Sequence, residues 1–394
     1  MRGLALLQGV IVSSYLVKLW RIKLNKWPIS GRDVHFLGGI HAINLPSSNQ
    51  VKVYPSTIDG KSAVITIPTY QKLYEGLAQV GLSDLVGTEF YTDVSHIDGS
   101  APSEWRVHTA YKSKPWSHTE AIWHWSHVSN QGHKLKDAFL WDIAKRISHQ
   151  ISTLNESFKV LSHRYRKQLM GRCIREIIEI GSKFEDGFSK EIYSSFQHFL
   201  FDACTLRDYL SEFIFHFILT DDEKLDVQHM NMTSRIFKKY FKDKSQPTAF
   251  RANFKNACDK NGWLNILGSY RDLVTHACPM SMAGGHLWIR VESVTLDEGK
   301  LLPKIVAPIP LNPEAIKLER NTLESFDKFD QKLKEFFGQS NDEKQSHDIL
   351  TYSKTVMVNF SNFIWELAEE SPYKGIKHTI TDNDVIGKIK IVNR

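Results

Sequence analysis

Residues 191–219 read EIYSSFQHFLFDACTLRDYLSEFIFHFIL. Phe196, Phe199, Leu200, Leu206, Leu210, Phe213, Ile214, Phe217 and Ile218 recur three and four positions apart, the spacing that gathers apolar side chains on one side of an α-helix. At about 100° per residue, His198, Asp202, Thr205, Tyr209, Glu212 and His216 fall in one polar stripe roughly 80° wide. A helix so apolar outside a single stripe needs neighbours on most sides, which sets the expected fold class: mainly α, a helical bundle. The stripe is either a plain solvent face or the wall of a cleft beside the helix that carries Arg271. In the second case Asp202, Tyr209 and Glu212 are its candidate lining.

Upstream, residues 135–169 carry Phe139, Leu140, Ile143, Ile147, Ile151, Leu154, Phe158, Val160 and Leu161 close to the same spacing and predict a second long helix. Its end is basic, because Lys159, His163, Arg164, Arg166, Lys167, Arg172 and Arg175 occur with no acid from Ser157 through Arg175. That run reads either as a solvated face or as a nucleic-acid contact. In the second reading Lys159, Arg164, Arg166, Lys167, Arg172 and Arg175 bind RNA.

Downstream, helices are predicted over residues 234–241, 263–277, 323–337 and 349–367. The run Leu287-Trp288-Ile289-Arg290-Val291 and Lys304-Ile305-Val306 flank Asp297-Glu298-Gly299 and predict a β-hairpin inserted at about 286–310. Pro303, Pro308 and Pro310 put its second arm at a sheet edge. Residues 371–394 read as a C-terminal tail with one strand at 386–391. Before the helices, Val51-Lys52-Val53-Tyr54 and residues 62–67 flank Asp59-Gly60 as a hairpin, and 70–80 has helical spacing. The expected organisation is a smaller α+β N-terminal domain at 1–130 and a helical bundle at 131–370.

The chain has 394 residues, a formal net charge of +6 and ordinary hydrophobic (42%) and charged (24%) shares, which permits a polyanionic partner without demanding one. Cys173, Cys204, Cys258 and Cys278 are too widely and irregularly spaced for a zinc knuckle or a disulfide framework, so a cytoplasmic setting is expected. The apolar run from Met1 to Val12 could pass for a signal peptide. It is interrupted at Gln8, Ser13 and Ser14 and is expected instead to pack on the body, with no membrane span. Between Trp116 and His133 lie His118, Glu120, Trp123, His124, Trp125 and His127. The spacing matches no metal motif, and an aromatic loop or strand is expected there, with no metal and no cofactor.

The segment Tyr270-Arg271-Asp272-Leu273-Val274-Thr275-His276 closes the predicted helix 263–277. Trp263, Ile266, Leu267, Tyr270, Leu273, Val274 and Ala277 form its apolar stripe, so His276 is expected outside it and Arg271 on the flank. On an ideal helix the two lie about 140° apart. Chemically the pair suits RNA phosphodiester cleavage: an Arg fork clamps a phosphate, an imidazole accepts and returns protons near neutral pH, and the RNA 2′-hydroxyl is the nucleophile.

Arg271-Asp272-Leu273-Val274-Thr275-His276 resembles the Arg-x4-6-His signature of the HEPN superfamily, in which a polar residue, usually Asn, Asp or His, follows the Arg. The resemblance covers the six-residue motif in sequence and about residues 131–370 in architecture. It implies a HEPN-like helical bundle and a metal-independent endoribonuclease, dimeric, with two motifs meeting in a composite active site and products ending in a 2′,3′-cyclic phosphate. Arg271 would bind the phosphate, His276 act as acid and base, and Asp272 orient Arg271. Family members act as toxins or in phage defence, which implies an antitoxin or regulatory protein as partner. The alternative is a non-catalytic helical module that binds RNA, nucleotide or a protein partner.

Overall fold

A computed structural model of the chain describes residues 30–69, 72–109, 118–175, 178–220, 248–277, 287–315 and 325–375. The N-terminal apolar run, the helix expected at 234–241 and the strand expected at 386–391 lie outside the described residues. The chain is mainly helical, with an antiparallel sheet at its N-terminal side.

That sheet is built from β1 (Gly31–Phe36), β2 (His41–Asn44), β3 (Gln50–Tyr54), β4 (Ala63–Thr66), β5 (Leu85–Tyr91) and β6 (Glu104–Val107), in the order β4-β3-β2-β1-β5-β6. The hairpin expected around Asp59-Gly60 is the β3–β4 pair, with Val51 opposite Ile65. Side chains alternate across a strand, so β1 sends Val34 and Phe36 one way and Asp33 and His35 the other. Helix α1 (Leu73–Gln79) covers the Val34 side: Tyr74 Oη lies 3.0 Å from Oγ1 of Thr88, which pairs with Val34. A short helix, α2 (Val94–Asp98), follows β5 and is capped by Asp93.

Helix α3 (His118–Leu135) takes the place of the aromatic loop or strand expected there. Ala121, Trp125 and Val128 recur at helical spacing and are all buried, and Trp125 meets Phe213 edge-on at 4.8 Å. The crowding of His and Trp masks that periodicity in the sequence. A turn at Lys136 leads to α4 (Ala138–Ile174), about 55 Å long and started by the Asp137 carboxylate accepting from Leu140 N. After β7 (Lys183–Phe184), a capping box between Asp186 and Ser189 starts α5 (Gly187–Phe217). The two long helices run antiparallel, because Arg164, Ser157 and Arg146 of α4 meet Glu191, Asp202 and Glu212 of α5 in reverse order.

Helices α6 (Ala249–Cys258) and α7 (Trp263–Asp272) follow, the latter widening into a π-turn at Leu273–Ala277. The predicted inserted hairpin is β8 (Ile289–Thr295) and β9 (Leu301–Val306), joined by β7 into a three-stranded sheet. Then come β10 (Pro308–Pro310), α8 (Phe326–Ser340), β11 (Ser346–Asp348) and α9 (Ile349–Glu370). Sheet and helices share one continuous apolar core, from Val34 and Val86 through Phe158 and Phe199 to Phe360.

Helix α4 is the member that spans the two regions. Gly39, at φ 86, sits in the β1–β2 connection against it, where a Cβ would come within 2.6 Å of the Tyr165 carbonyl oxygen. Only glycine takes that backbone angle without strain and leaves that space. At the same level the Tyr165 hydroxyl donates to Asp348, the N-cap of α9. The last third of α4 therefore lies against the sheet face that carries Asp33 and His35.

Candidate functional site

The Arg271 motif sits at the C-terminal end of α7, whose inner side is firmly held. Tyr270 is fully buried, donates from its hydroxyl to Pro310 O (2.6 Å) and meets Tyr352 at 4.7 Å; Leu273 and Val274 are buried beside it. Outward, Asp272 and His276 are exposed, and the Arg271 side chain keeps 34% of its surface with Nε 3.3 Å from Asp272 Oδ1. A π-turn rotates less per residue than an α-turn, so it swings His276 back toward the side of Arg271 relative to a straight helix. Next to the motif, Arg207 of α5 is buried, pairs with Asp208 at 3.0 Å and lies against Gly268 of α7.

The polar stripe of α5 does not line this place. Asp202 takes hydrogen bonds from Ser157 and from Gln150 (3.1 Å to its carbonyl), Glu212 lies 3.4 Å from Arg146, and Tyr209 lies under the Arg146 guanidinium at 5.0 Å. All three face α4. A shallow cavity of about 410 Å³ beside Asp202 is lined by Thr153, Ser157, Val160 and His198, and it too lies along α4.

The basic run of α4 is divided between two neighbours. Arg164 donates to Glu191 at 2.6 Å, Lys167 lies 3.8 Å from the same carboxylate, Arg175 lies 3.4 Å from Asp186, and Arg172 covers the Phe184 ring at 3.8 Å. Lys159 and Arg166 turn the other way, toward the sheet. Each of the six candidate RNA contacts thus has a carboxylate or an aromatic partner within the chain.

At that sheet face the structure assembles a group of residues that no local motif announces. Asp33 and Glu89 stand directly opposite each other across β1 and β5, and His35 and His41 across β1 and β2. All four are buried. Two like charges in register repel, and α4 answers them: Arg166 donates to Asp33 Oδ2 (2.5 Å), and Lys159 Nζ lies 3.6 Å from Glu89 Oε2. His41 Nδ1 is 3.0 Å from Asp33 Oδ1, and its ring stacks on Tyr54 at 5.0 Å. The Ser103 hydroxyl, from the segment entering β6, donates to Glu89 Oε2.

His163 completes the group from α4, with Nε2 2.8 Å from Glu89 Oε1, while His35 Nε2 lies 3.3 Å from the same oxygen. The His35 ring is fixed by Ser162 Oγ at 2.9 Å from Nδ1, by the edge of Trp105 at 5.2 Å and by His163 at 5.0 Å. Trp105 can reach there because Gly87 on the adjacent strand leaves room for its six-membered ring. Burial pushes the Glu89 carboxyl up, but the His163 and His35 rings and the Ser103 hydroxyl bring it well below the usual carboxylate range. Asp33 behaves alike: burial raises it, and Arg166 and His41 more than reverse that. Burial also lowers His41. The group holds two ionised carboxylates, two fixed cations and three imidazoles at one seam.

Positions 33, 35, 41, 89 and 163 are brought together only by topology, so no stretch of sequence singles them out. One local sign exists. In GRDVHF, a strand otherwise fit for burial, Asp33 and His35 occupy the same face at a spacing of two, and polar residues on an inward face mark something beyond packing.

Among the described residues no helix is long and apolar enough to cross a membrane, and Cys173 and Cys204 form no disulfide. Comparison of the chain with protein-family models, with curated proteins and with solved structures finds no match.

Proposed function

We propose that the chain is a metal-independent endoribonuclease of the HEPN type, its helices forming a HEPN-like bundle around the Arg271 motif. The observation that supports this reading is the exposure of the motif: α7 is anchored through Tyr270, Leu273 and Val274, while His276 in its widened last turn is exposed and Arg271 is partly exposed. In the proposed reaction the 2′-hydroxyl oxygen attacks the adjacent phosphorus and gives up its proton to a base. The bond to the 5′-oxygen breaks and that oxygen takes a proton from an acid, leaving a 2′,3′-cyclic phosphate and a 5′-hydroxyl. Arg271 would spread the phosphate charge over its fork, with Asp272 holding its Nε side. His276 would serve as one of the proton-transfer groups, and a second copy of the motif in a homodimer would supply the other. In this reading the enzyme acts on RNA, and the partner proposed for it is an antitoxin or another regulatory protein.

The test is cleavage of labelled single-stranded RNA by the full chain in the presence of chelator. Cyclic-phosphate products from the wild type, lost in His276→Ala and Arg271→Ala with unchanged circular dichroism, are expected. Equal cleavage by His276→Ala would sink the assignment. One contact favours a second reading: the Asp272 carboxylate beside Arg271 Nε competes with phosphate for the guanidinium. On that ground the chain would be a non-catalytic module binding RNA, nucleotide or a protein partner. Retained RNA binding without any cleavage, unaffected by His276→Ala, would establish it.

A further inference from the structure

The group at the seam of sheet and α4 brings together His35, His163 and Glu89, which each offer one ligand atom, all within 4.8 Å of one another. One of their separations matches that of two ligands on one ion, and one is shorter. Around a tetrahedral ion with bonds of about 2.0–2.1 Å, neighbouring donors stand roughly 3.3 Å apart. His35 Nε2 and Glu89 Oε1 are 3.3 Å apart, and His163 Nε2 and Glu89 Oε1 are 2.8 Å apart. His35 Nε2 and Glu89 Oε1 are buried polar atoms with no hydrogen-bond partner among the described residues, a condition that disfavours the folded state unless something binds them. The His35 side chain is 1% exposed and that of Glu89 5%. The convergence is therefore enforced by the fold and is not resolved within it.

The surroundings are those of an outer ligand shell. Ser162 takes the Nδ1 side of His35, which leaves Nε2 as the free nitrogen in the tautomer that donates from Nδ1. Ser103 and Lys159 occupy Glu89 Oε2 and leave Oε1. Asp33 Oδ2 stands 3.9 Å from His35 Nε2, held back by Arg166 and His41. His163, 38% exposed, provides the way in. We propose that His35, Glu89 and His163 bind one divalent transition-metal ion of the zinc type, with a solvent molecule completing the coordination.

The charge balance decides which ions qualify. Lys159 and Arg166 already offset Glu89 and Asp33, so little net negative charge attracts a hard cation. Magnesium and calcium, which depend on several oxygen donors, are excluded. Two imidazoles and one carboxylate oxygen suit Zn²⁺, Co²⁺ and their first-row neighbours. The ion would tie β1, β5 and α4 together. The site is independent of the ribonuclease reading, which needs no metal, and either can fail without the other.

The experiment uses tag-free full-length chain stripped with chelator and titrated with Co²⁺, read by its visible absorption, then displaced with Zn²⁺ and assayed for metal content. One equivalent of Co²⁺ per chain with a four- or five-coordinate spectrum is expected, displaced by Zn²⁺ and unaffected by excess Mg²⁺. Glu89→Gln and His163→Gln should each weaken binding at least about a hundredfold, more than loss of an outer-shell partner costs. His163→Gln is the safer variant, since its partly exposed side chain leaves the fold standing by circular dichroism. His133→Ala, on the exposed side of α3, should bind as the wild type does. The proposal is overturned by absence of stoichiometric Co²⁺ and Zn²⁺ binding, by unchanged affinity in folded His163→Gln and Glu89→Gln, or by loss of binding in His133→Ala.

Discussion

Replacing Arg166 by Ala tests whether the seam between sheet and α4 is held by charge. Its guanidinium is 2.5 Å from the Asp33 carboxylate, and the Asp33 side chain is 3% exposed, so the truncation leaves a buried anion facing a hole. Removing one partner of a buried ion pair costs about 3–5 kcal/mol, far more than the pair itself is worth. Arg166 is 28% exposed and His41 remains at 3.0 Å from the carboxylate. Water and the imidazole replace part of what is lost, which puts the effect near the lower end, about 3 kcal/mol. Urea unfolding followed by circular dichroism and tryptophan fluorescence measures it as a lower midpoint at constant slope. Asp33→Asn in the Arg166→Ala background removes the stranded charge, so the double variant should be more stable than the two single losses added together predict. A coupling of roughly 2 kcal/mol is expected for groups in direct contact. A single-variant loss below about 1 kcal/mol, or strict additivity of the two substitutions, would refute the reasoning; both are expected only of a solvated surface pair.

Three other perturbations probe the same geometry. Phe199→Ala, at a fully buried position facing Phe158 at 5.9 Å, should lower unfolding free energy by about 3–5 kcal/mol in the same urea experiment. Asp348→Ala removes the acceptor shared by Thr351 N, Tyr165 Oη and Ala307 N, and should cost about 3 kcal/mol through the lost cap and the stranded buried donors. Burial, aided by the nearby Lys374 ammonium, lowers His124 to about 4, below its ordinary 6.5. The folded state therefore favours the neutral ring, its contribution is complete above pH 6.5, and it is lost as pH falls toward 4. Melting temperatures between pH 7 and 4 should fall less steeply in His124→Gln than in the wild type, and identical slopes would remove His124 as the cause.

The long helices are legible in the sequence because an apolar stripe repeats faithfully in both: Phe158 and Leu161 of α4 and Phe196, Phe199 and Leu210 of α5 are all buried as their spacing requires. The hairpin at β8 and β9 is legible from alternation and its turn. Helix α3 is not, since its buried apolar residues Ala121, Trp125 and Val128 lie among His and Trp side chains whose polarity gives no clear period. The end of α7 reads as α-helix to Ala277, and apolar spacing does not distinguish a terminal α-turn from a π-turn. For the seam of histidines and carboxylates the limit is of another kind. A window along the chain sees Asp33, Glu89 and His163 as unrelated, and only strand order together with the packing of α4 on the sheet makes them neighbours.

The basic run of α4 carries more information in its angular distribution than in its charge count. At about 100° per residue, Lys159, Ser162, His163 and Arg166 share one stripe, and Arg164, Lys167 and Arg175 share another. The first stripe meets Glu89 and Asp33 of the sheet; the second meets Glu191 and Asp186 at the start of α5. A helix built to bind a polyanion presents one stripe of cations to solvent, whereas a helix wedged between two acidic surfaces has to divide its cations between two faces. The division is visible in the sequence as spacing, even though the acids that explain it lie in other elements. A nucleic acid reaching this part of α4 would have to displace those carboxylates from their partners. Any electrostatic attraction there is consequently weakened by the cost of leaving Asp33 buried and alone, the same quantity that the Arg166→Ala variant measures.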